Sequence, residues 1–367
     1  MKHKKTPFCK APFLIGFTAT NNLFRDCCAK RPRLLSDPGS SFKEWWKSDK
    51  LNQFRKDLLE TDRHPIECVG CEIAEKQHGR SFRTAVNEWT QTDFSHPAAW
   101  NIMFGNICNL ACWICNEHSS SVIFQHKKRS KLLSGEDLTE KKFKEHWPEL
   151  RENILLSYQH HKSVTLTLLG GEPLYNKTVI DFLHELIEMN LAHRTRLEFH
   201  TNGTVYPYKI FPKNQKSPWQ YVCSFISLDA VGRYAEWLRY GCDWNKVDKV
   251  VDALENISDY TEIQCTLTVL NINQLPDLQS YAETKNINLS IKTTDNPDYM
   301  ALTNWDMPQD SLLVNETSER FKLYYQLIGK TAKKGSSDRL KKYIRNFDGV
   351  RSPLSDFDRT FAEKIGW

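Results

Sequence analysis

Three cysteines in the segment FGNICNLACWICNEHSSS, Cys108, Cys112 and Cys115, are spaced C-x3-C-x2-C. Three thiolates on one short loop suit three irons of a 4Fe-4S cube, and no fourth cysteine follows nearby to close it. One iron is then open to a ligand that does not come from the protein. A partial zinc site and three buried thiols are the competing readings, since free cysteine is among the most buried residue types. Structural zinc usually takes four protein ligands, commonly in two pairs, which the triplet does not supply.

A second set precedes it: Cys9, the adjacent pair Cys27 and Cys28, and Cys68-x2-Cys71. Four thiolates are what a closed cluster or a structural zinc needs, and the spacing suits either. Eight of the eleven cysteines stand in these groups before residue 116. The start MKHKKTPF lacks the apolar core and cleavage site of a signal peptide, and no run approaches the length of a membrane span. A cytoplasmic, reducing location is therefore expected, where grouped cysteines point to metal rather than disulfides. Of the remaining three, Cys223 and Cys265 are expected in the core and Cys242, flanked by Gly241 and Asp243, is expected at the surface.

Elements that must position these thiols emerge from residue 98 onward. Apolar β-type runs at 98–105, 164–170, 196–201, 222–228, 263–270 and 287–293 alternate with helical patterns, the signature of a parallel sheet with crossover helices. Val179, Ile180, Leu183, Leu186 and Ile187 share one helical face, as do Val247, Val250, Val251, Leu254 and Ile257. The connection 116–163 is predicted to form one or two helices. In a parallel barrel function gathers at the carboxyl ends of the strands. The cysteine loop, Gly170-Gly171-Glu172-Pro173, Thr201-Asn202-Gly203, Ser227 with Asp229, and Asn271 all follow such runs.

This arrangement, a C-x3-C-x2-C loop after the first strand and a GGEP segment after the second, resembles the radical S-adenosylmethionine superfamily. The resemblance implies an α/β fold with a partial (β/α)6 TIM-like barrel over 96–295. It also implies S-adenosylmethionine chelating the open iron, an electron breaking its carbon-sulfur bond, and a 5'-deoxyadenosyl radical that abstracts hydrogen from substrate. Gly170 and Gly171 would let the backbone approach the methionyl amino group, with Glu172 accepting a hydrogen bond from it. Ser227 and Asp229 would meet the ribose hydroxyls. Arg239 would grip the carboxylate in bidentate fashion, although within YAEWLRY a surface ion pair with Glu236 serves equally. Asn202 and Asn271 either touch cofactor or substrate or act as turn residues. Trp113 stands one position earlier than the family's usual adenine-stacking aromatic.

The stretch SFKEWWKSDKLNQFRKDLLETDRHPIECVGCEIAE resembles the auxiliary-cluster modules named SPASM and twitch, here placed before the barrel, in residues 1–95. That resemblance implies a second 4Fe-4S cluster on Cys9, Cys27, Cys68 and Cys71, with Cys28 interchangeable with Cys27 and zinc as the alternative metal. Glu75, Gly79, Ser81 and Arg83 would connect the modules, with Arg83 solvated. Residues 296–367, containing two helical patterns and an ending with Asp348 and Arg351, are expected to cap exposed sheet edges rather than line the cavity.

With 50 Lys and Arg against 45 Asp and Glu, the net charge of +5 is a mild imbalance that carries no strong nucleic-acid signal. The basic runs at 126–129 and 333–342 read as solvated helix faces. Partners implied by the resemblance are S-adenosylmethionine, a reducing donor such as flavodoxin or ferredoxin, and an unidentified substrate, with a peptide or protein preferred. A radical enzyme acting on a nucleotide or sugar phosphate is the second reading. A non-enzymatic electron-transfer or metal-binding protein is the third, and it needs no cofactor pocket of the GGEP kind.

Overall fold

The strands Val164–Leu169 and Thr195–Thr201 alternate fully buried with half-buried side chains, residue by residue. Val164, Leu166, Leu168, Leu197 and Phe199 have no exposure, whereas Thr165, Thr167, Arg196, Glu198 and His200 between them are half-buried. One face is sealed by helices and the other lines an interior that is open and polar. The computed structural model describes residues 8–19, 23–28, 34–60, 65, 68–212, 217–307, 319–346 and 362–363.

Among the described residues the main sheet has eight strands in the order β10-β9-β7-β6-β5-β3-β1-β2. They are β1 (Ile15–Thr18), β2 (Phe24–Arg25), β3 (Ala99–Met103), β5 (Val164–Leu169), β6 (Thr195–Thr201), β7 (Tyr221–Ser227), β9 (Tyr260–Leu267) and β10 (Asn288–Thr293). The other two, β4 (Ala111–Cys112) and β8 (Arg239–Tyr240), form a separate two-stranded ladder. The six runs expected from periodicity are β3, β5, β6, β7, β9 and β10, all mutually parallel. This is the partial TIM-like α/β fold.

The segment before the barrel extends that sheet, an addition to the six expected strands. β1 pairs in parallel with β3, Ile15 opposite Ala99, and β2 returns antiparallel. Gly16 permits the junction, because a Cβ there would lie 2.6 Å from the buried ring of Trp100. Trp45 and Trp46, on the helix Phe42–Trp46, are buried, and a capping box between Ser41 and Glu44 starts that helix.

Outer helices follow the expected periodicities. Lys177–Glu188 buries Val179, Phe182, Leu183 and Leu186, and Trp244–Ile257 buries Val247, Val251 and Leu254. The connection 116–163 contains two helices, Ser121–Arg129 and Leu138–His160. Toward the end of the chain, Tyr324 Oη reaches Ile291 O on the edge strand β10 at 3.5 Å, so one segment does cover an edge. The helix Ser336–Arg345 goes elsewhere: Tyr343 Oη donates to Trp113 O at 3.2 Å, inside the cysteine loop. Asp348 and Arg351 lie outside the described residues. Among the described residues no helix is long and apolar enough to cross a membrane.

Candidate radical-cluster site

The cysteine loop is held from beneath, from inside and from the side. Beneath it, Met103 N–H donates to Thr18 Oγ1, and the chain turns at Gly105 with φ +61°. From inside, Asn106 Nδ2 donates to Glu117 O and Asp137 Oδ2, and Ser120 Oγ donates to Leu110 O. From the side, β4 pairs with β8, setting Ala111 opposite Tyr240 and Cys112 opposite Arg239. Cys108 and Cys112 are buried and pack with Leu110, Ile114, Cys115 and Cys242. Burial pushes the Cys108 thiol up to about 12, and a hydrogen bond with Cys112 together with burial raises Cys115 well above the ordinary thiol value. Metal coordination reverses that preference by deprotonating its ligands.

Gly170 and Gly171 are required by this loop itself. A Cβ on Gly170, at φ +119°, would lie 2.9 Å from Phe104 N, and one on Gly171 would lie 2.3 Å from Ile107 O. Glycine lets the end of β5 slide under the backbone that leads to Cys108. Glu172 then turns inward. Its buried carboxylate accepts from Leu174 N at 3.0 Å, Thr201 Oγ1 at 2.9 Å and Asn202 N at 2.6 Å, tying the ends of β5 and β6 together. Burial pushes this carboxyl up to about 7, against the opposing pull of those three donors. With three donors from the chain on two oxygens, Glu172 keeps limited capacity for a bound amine.

Asn202 adjoins the thiols. Its Nδ2 donates to Asn109 Oδ1 at 2.9 Å and stands 3.9 Å from Cys108 Sγ, while its Oδ1 accepts from Thr204 N and Oγ1. Arg239 lies in β8 after the helix Gly232–Leu238, which rules out the alternative of a surface ion pair with Glu236: it is 5% exposed and pairs with Asp229 Oδ2 at 2.7 Å. Glu236, its alternative partner, instead accepts from Trp244 N. Arg239 Nη1 stands 3.9 Å from Cys112 Sγ. Asp229 Oδ1 also accepts from Thr266 N, and Asn271 Nδ2 donates to the carbonyls of Asp229 and Thr266, so Asn271 braces the strand ends from below. Ser227 is half-buried at the end of β7.

Two buried polar atoms here have no hydrogen-bond partner among the described residues, Arg239 Nε and Asn106 Oδ1. A buried donor left open beside three thiols fits an anionic or sulfide-bearing group at this point. The donor set therefore suits a site-differentiated cluster with a carboxylate-bearing ligand. Trp113 is buried against Trp237 and Tyr343, with ring centroids 5.6 and 5.8 Å away.

At the opposite, amino-terminal end of the strands, Cys9, Cys27, Cys68 and Cys71 line one recess with Pro12, Phe54, Leu58, Phe82 and Arg83. Cys28 is not among the lining residues; its thiol hydrogen-bonds to Cys27. Burial pushes the Cys9 thiol up to about 12, and the three neighbouring thiols add to that. Arg83 corrects its expected solvated role: it is 3% exposed, with Nε and Nη2 on the two carboxylate oxygens of Glu75 at 3.0 and 2.5 Å. Ser81 Oγ donates to the same carboxylate, and Gly79 caps the preceding helix at φ +70°. Among the described residues no three His, Cys, Asp or Glu side chains close on a single metal ion. A cube does not ask that of them, since each of its irons takes one thiolate.

Sequence reasoning missed several neighbours. Asn109 and Thr204 bridge the cysteine loop to the end of β6, and Cys242, expected at the surface, is half-buried against the loop. Cys223 and Cys265 are buried as expected. His200, on the inner face of β6, stacks on Phe225 at 4.7 Å and hydrogen-bonds to Gln264; burial brings its imidazole down to about 4.

Residues 102–278 match the family described as Radical SAM superfamily. No curated protein matches the chain. Among solved structures it is similar to native anSMEcpe with bound AdoMet, at 19% identity over 54% of this chain and 51% of that one, with a TM-score of 0.38. It is also similar to Streptococcus suis SuiB bound to S-adenosylmethionine, at 14% identity, 83% and 54% coverage and a TM-score of 0.36. For SuiB bound to its precursor peptide SuiA the values are 15%, 83% and 61%, and 0.35. The matches span between half and about three fifths of those structures' length.

Proposed function

Because this chain belongs to the radical SAM superfamily, we propose that it reductively cleaves S-adenosylmethionine and abstracts a hydrogen atom from a substrate held inside the barrel. Cys108, Cys112 and Cys115 would hold a 4Fe-4S cluster, which would supply the electron for reductive cleavage of S-adenosylmethionine. The chain's own residues bind, orient and enclose. Gly170 and Gly171 keep the wall under the loop thin, Asn202 and Asn109 fix Cys108, and the Asp229–Arg239 pair sets a cation against Cys112. The observation that carries this reading is the buried, unfilled Arg239 Nε beside the three thiols.

The polar inner face is the proposed substrate space. Its Arg196 is already paired with Glu198 at 3.1 Å and stacked over Tyr221 at 3.9 Å, which favours a peptide or protein over a substrate bearing a free phosphate. Cys9, Cys27, Cys68 and Cys71 are the proposed ligands of a second 4Fe-4S cluster. The apolar lining from Phe54, Leu58 and Phe82 supports a closed centre there.

Anaerobic reconstitution, iron and sulfide counting, reduction and assay for 5'-deoxyadenosine test the proposal. About eight irons per chain with cofactor cleavage are expected, and about four would mean that the second set holds no cluster. Absence of cleavage from protein with a filled triplet overturns the radical reading.

A further inference from the structure

We propose a hard-cation site of the calcium class where the turn Gly105–Asn106 meets the first turn of the helix Leu138–His160, with Asn106 Oδ1 and the carboxylates of Glu140 and Asp137 as its donors. The site is independent of what the three thiols hold.

Its ground is a surplus of buried acceptors. Asn106 has no exposure, and its Nδ2 donates to Asp137 Oδ2 at 2.8 Å and to Glu117 O at 2.9 Å. Turning the amide over would set its oxygen against those two acceptors, so the orientation is fixed and Oδ1 is left without a donor among the described residues. Both carboxylate oxygens of Glu140 are likewise sealed from solvent and without a hydrogen bond. Glu140 Oε2 fills the place that a Cβ on Gly105 would take, so this carboxylate lies against the residue next to Asn106. From the third position of a helix a glutamate ordinarily reaches back to the N-cap N–H. Here Asp137 caps alone, accepting from Thr139 N at 3.2 Å, and Glu140 turns in on the loop.

Three buried acceptors with no donor destabilise the fold unless a positive group joins them. A proton on Glu140 is one such group, and burial pushes this carboxyl above its ordinary value. Its single O–H can reach Asn106 Oδ1, but the second carboxyl oxygen then stays unmet. The Lys144 ammonium is another, yet it stands 3.5 Å from Glu140 Oε1, too far for a good hydrogen bond, and is 63% exposed. A bound cation meets all three atoms at once. Oxygen donors in an irregular arrangement suit calcium, whose shell is flexible, better than magnesium, which demands an octahedron. A recess of about 640 Å³ beside Ile107, Ser121, Asp137 and Lys141 admits the ion and the water that completes its shell. Asn106 stands two residues before Cys108, and its carbonyl accepts from Ser121 N at 2.8 Å. The ion therefore ties the entry of the cysteine loop to a long helix and holds the loop in shape before any cluster is inserted.

The test uses the purified chain before reconstitution, stripped with chelator, with Tb³⁺ as a luminescent probe and Trp147 as its antenna. Trp147 packs on Phe143 with ring centroids 5.6 Å apart, and Phe143 borders Gly105. Tryptophan-excited terbium emission should saturate at about one ion per chain and be displaced by Ca²⁺. Glu140→Gln should weaken terbium binding about tenfold or more. Lys144→Ala, which removes a competing ammonium, should tighten it. Ca²⁺ should raise the melting temperature of the wild type and leave that of Glu140→Gln unmoved. If circular dichroism shows that Glu140→Gln does not fold, the opposite direction expected of Lys144→Ala still decides. Absence of saturable emission, equal affinity in wild type and Glu140→Gln, or weaker binding in Lys144→Ala overturns the proposal and leaves the acceptors to a proton on Glu140.

Discussion

Cys112 faces Arg239 across a two-residue antiparallel ladder, and Arg239 is in turn paired with Asp229 at 2.7 Å, with both side chains almost fully buried. The ion pair thus fastens the cysteine loop to the strand ends of the far half of the barrel. Removing one partner leaves the other charge buried and uncompensated, at a cost of about 3–5 kcal/mol. Asp229→Ala should therefore lower the melting temperature of the metal-free protein steeply. Asp229→Ala/Arg239→Ala should cost less than the sum of the two single changes in a double-mutant cycle. Simple additivity would mean that the pair is not coupled as described.

Gly171→Ala tests whether the GGEP glycine serves the loop. The new methyl would fall 2.3 Å from Ile107 O and 2.6 Å from Asn106 O, both backbone atoms that cannot swing aside. Overpacking of this kind costs about 1–3 kcal/mol. Far-ultraviolet circular dichroism should stay close to wild type while iron content on reconstitution falls by half or more. Full iron incorporation would show that the loop has room to spare.

His200 predicts a pH dependence. Its imidazole titrates near 4 in the fold because burial disfavours the charged form, with Lys292 nearby adding to it. An unfolded histidine titrates near 6.5. Between those values the unfolded chain binds a proton that the native chain does not, so native stability falls as pH drops from about 6.5 to about 4. The loss assignable to this residue approaches about 3 kcal/mol. Denaturant melts of His200→Phe should show a shallower fall than wild type across that window. Parallel curves would mean that the imidazole is protonated in the fold.

How far these relationships are legible in sequence depends on their range. Alternation in VTLTLL and RLEFHT reports the sealed and open faces of one barrel, so all six of those strands can be read directly. The four residues of β1, all buried, and the two of β2 are too short to carry a period, and their membership in the sheet comes from pairing with β3. Arg239 reads as helical because YAEWLRY continues a helical spacing; the ladder with Cys112 overrides that local preference. Tyr343 and Trp113 are 230 residues apart, and nothing local in either segment announces the other.

The adjacent cysteines at 27 and 28 give the sharpest discrimination at the second set. Cys27 lines the recess with Cys9, Cys68 and Cys71, whereas Cys28 lies beside it and hydrogen-bonds to Cys27. Serine is nearly isosteric with cysteine but is a poor ligand for iron, so each change removes a ligand with little loss of packing. Cys27→Ser should lower iron from about eight to about four per chain if both clusters are present, while Cys28→Ser should retain about eight. The signal of the cluster at Cys108, Cys112 and Cys115 should persist in both, because that loop lies at the other end of the strands. Equal iron loss in the two serine variants would show that both thiols are needed; retention in both would show that one replaces the other, unless Cys27→Ser/Cys28→Ser also retains about eight irons, which would exclude the pair from the metal centre.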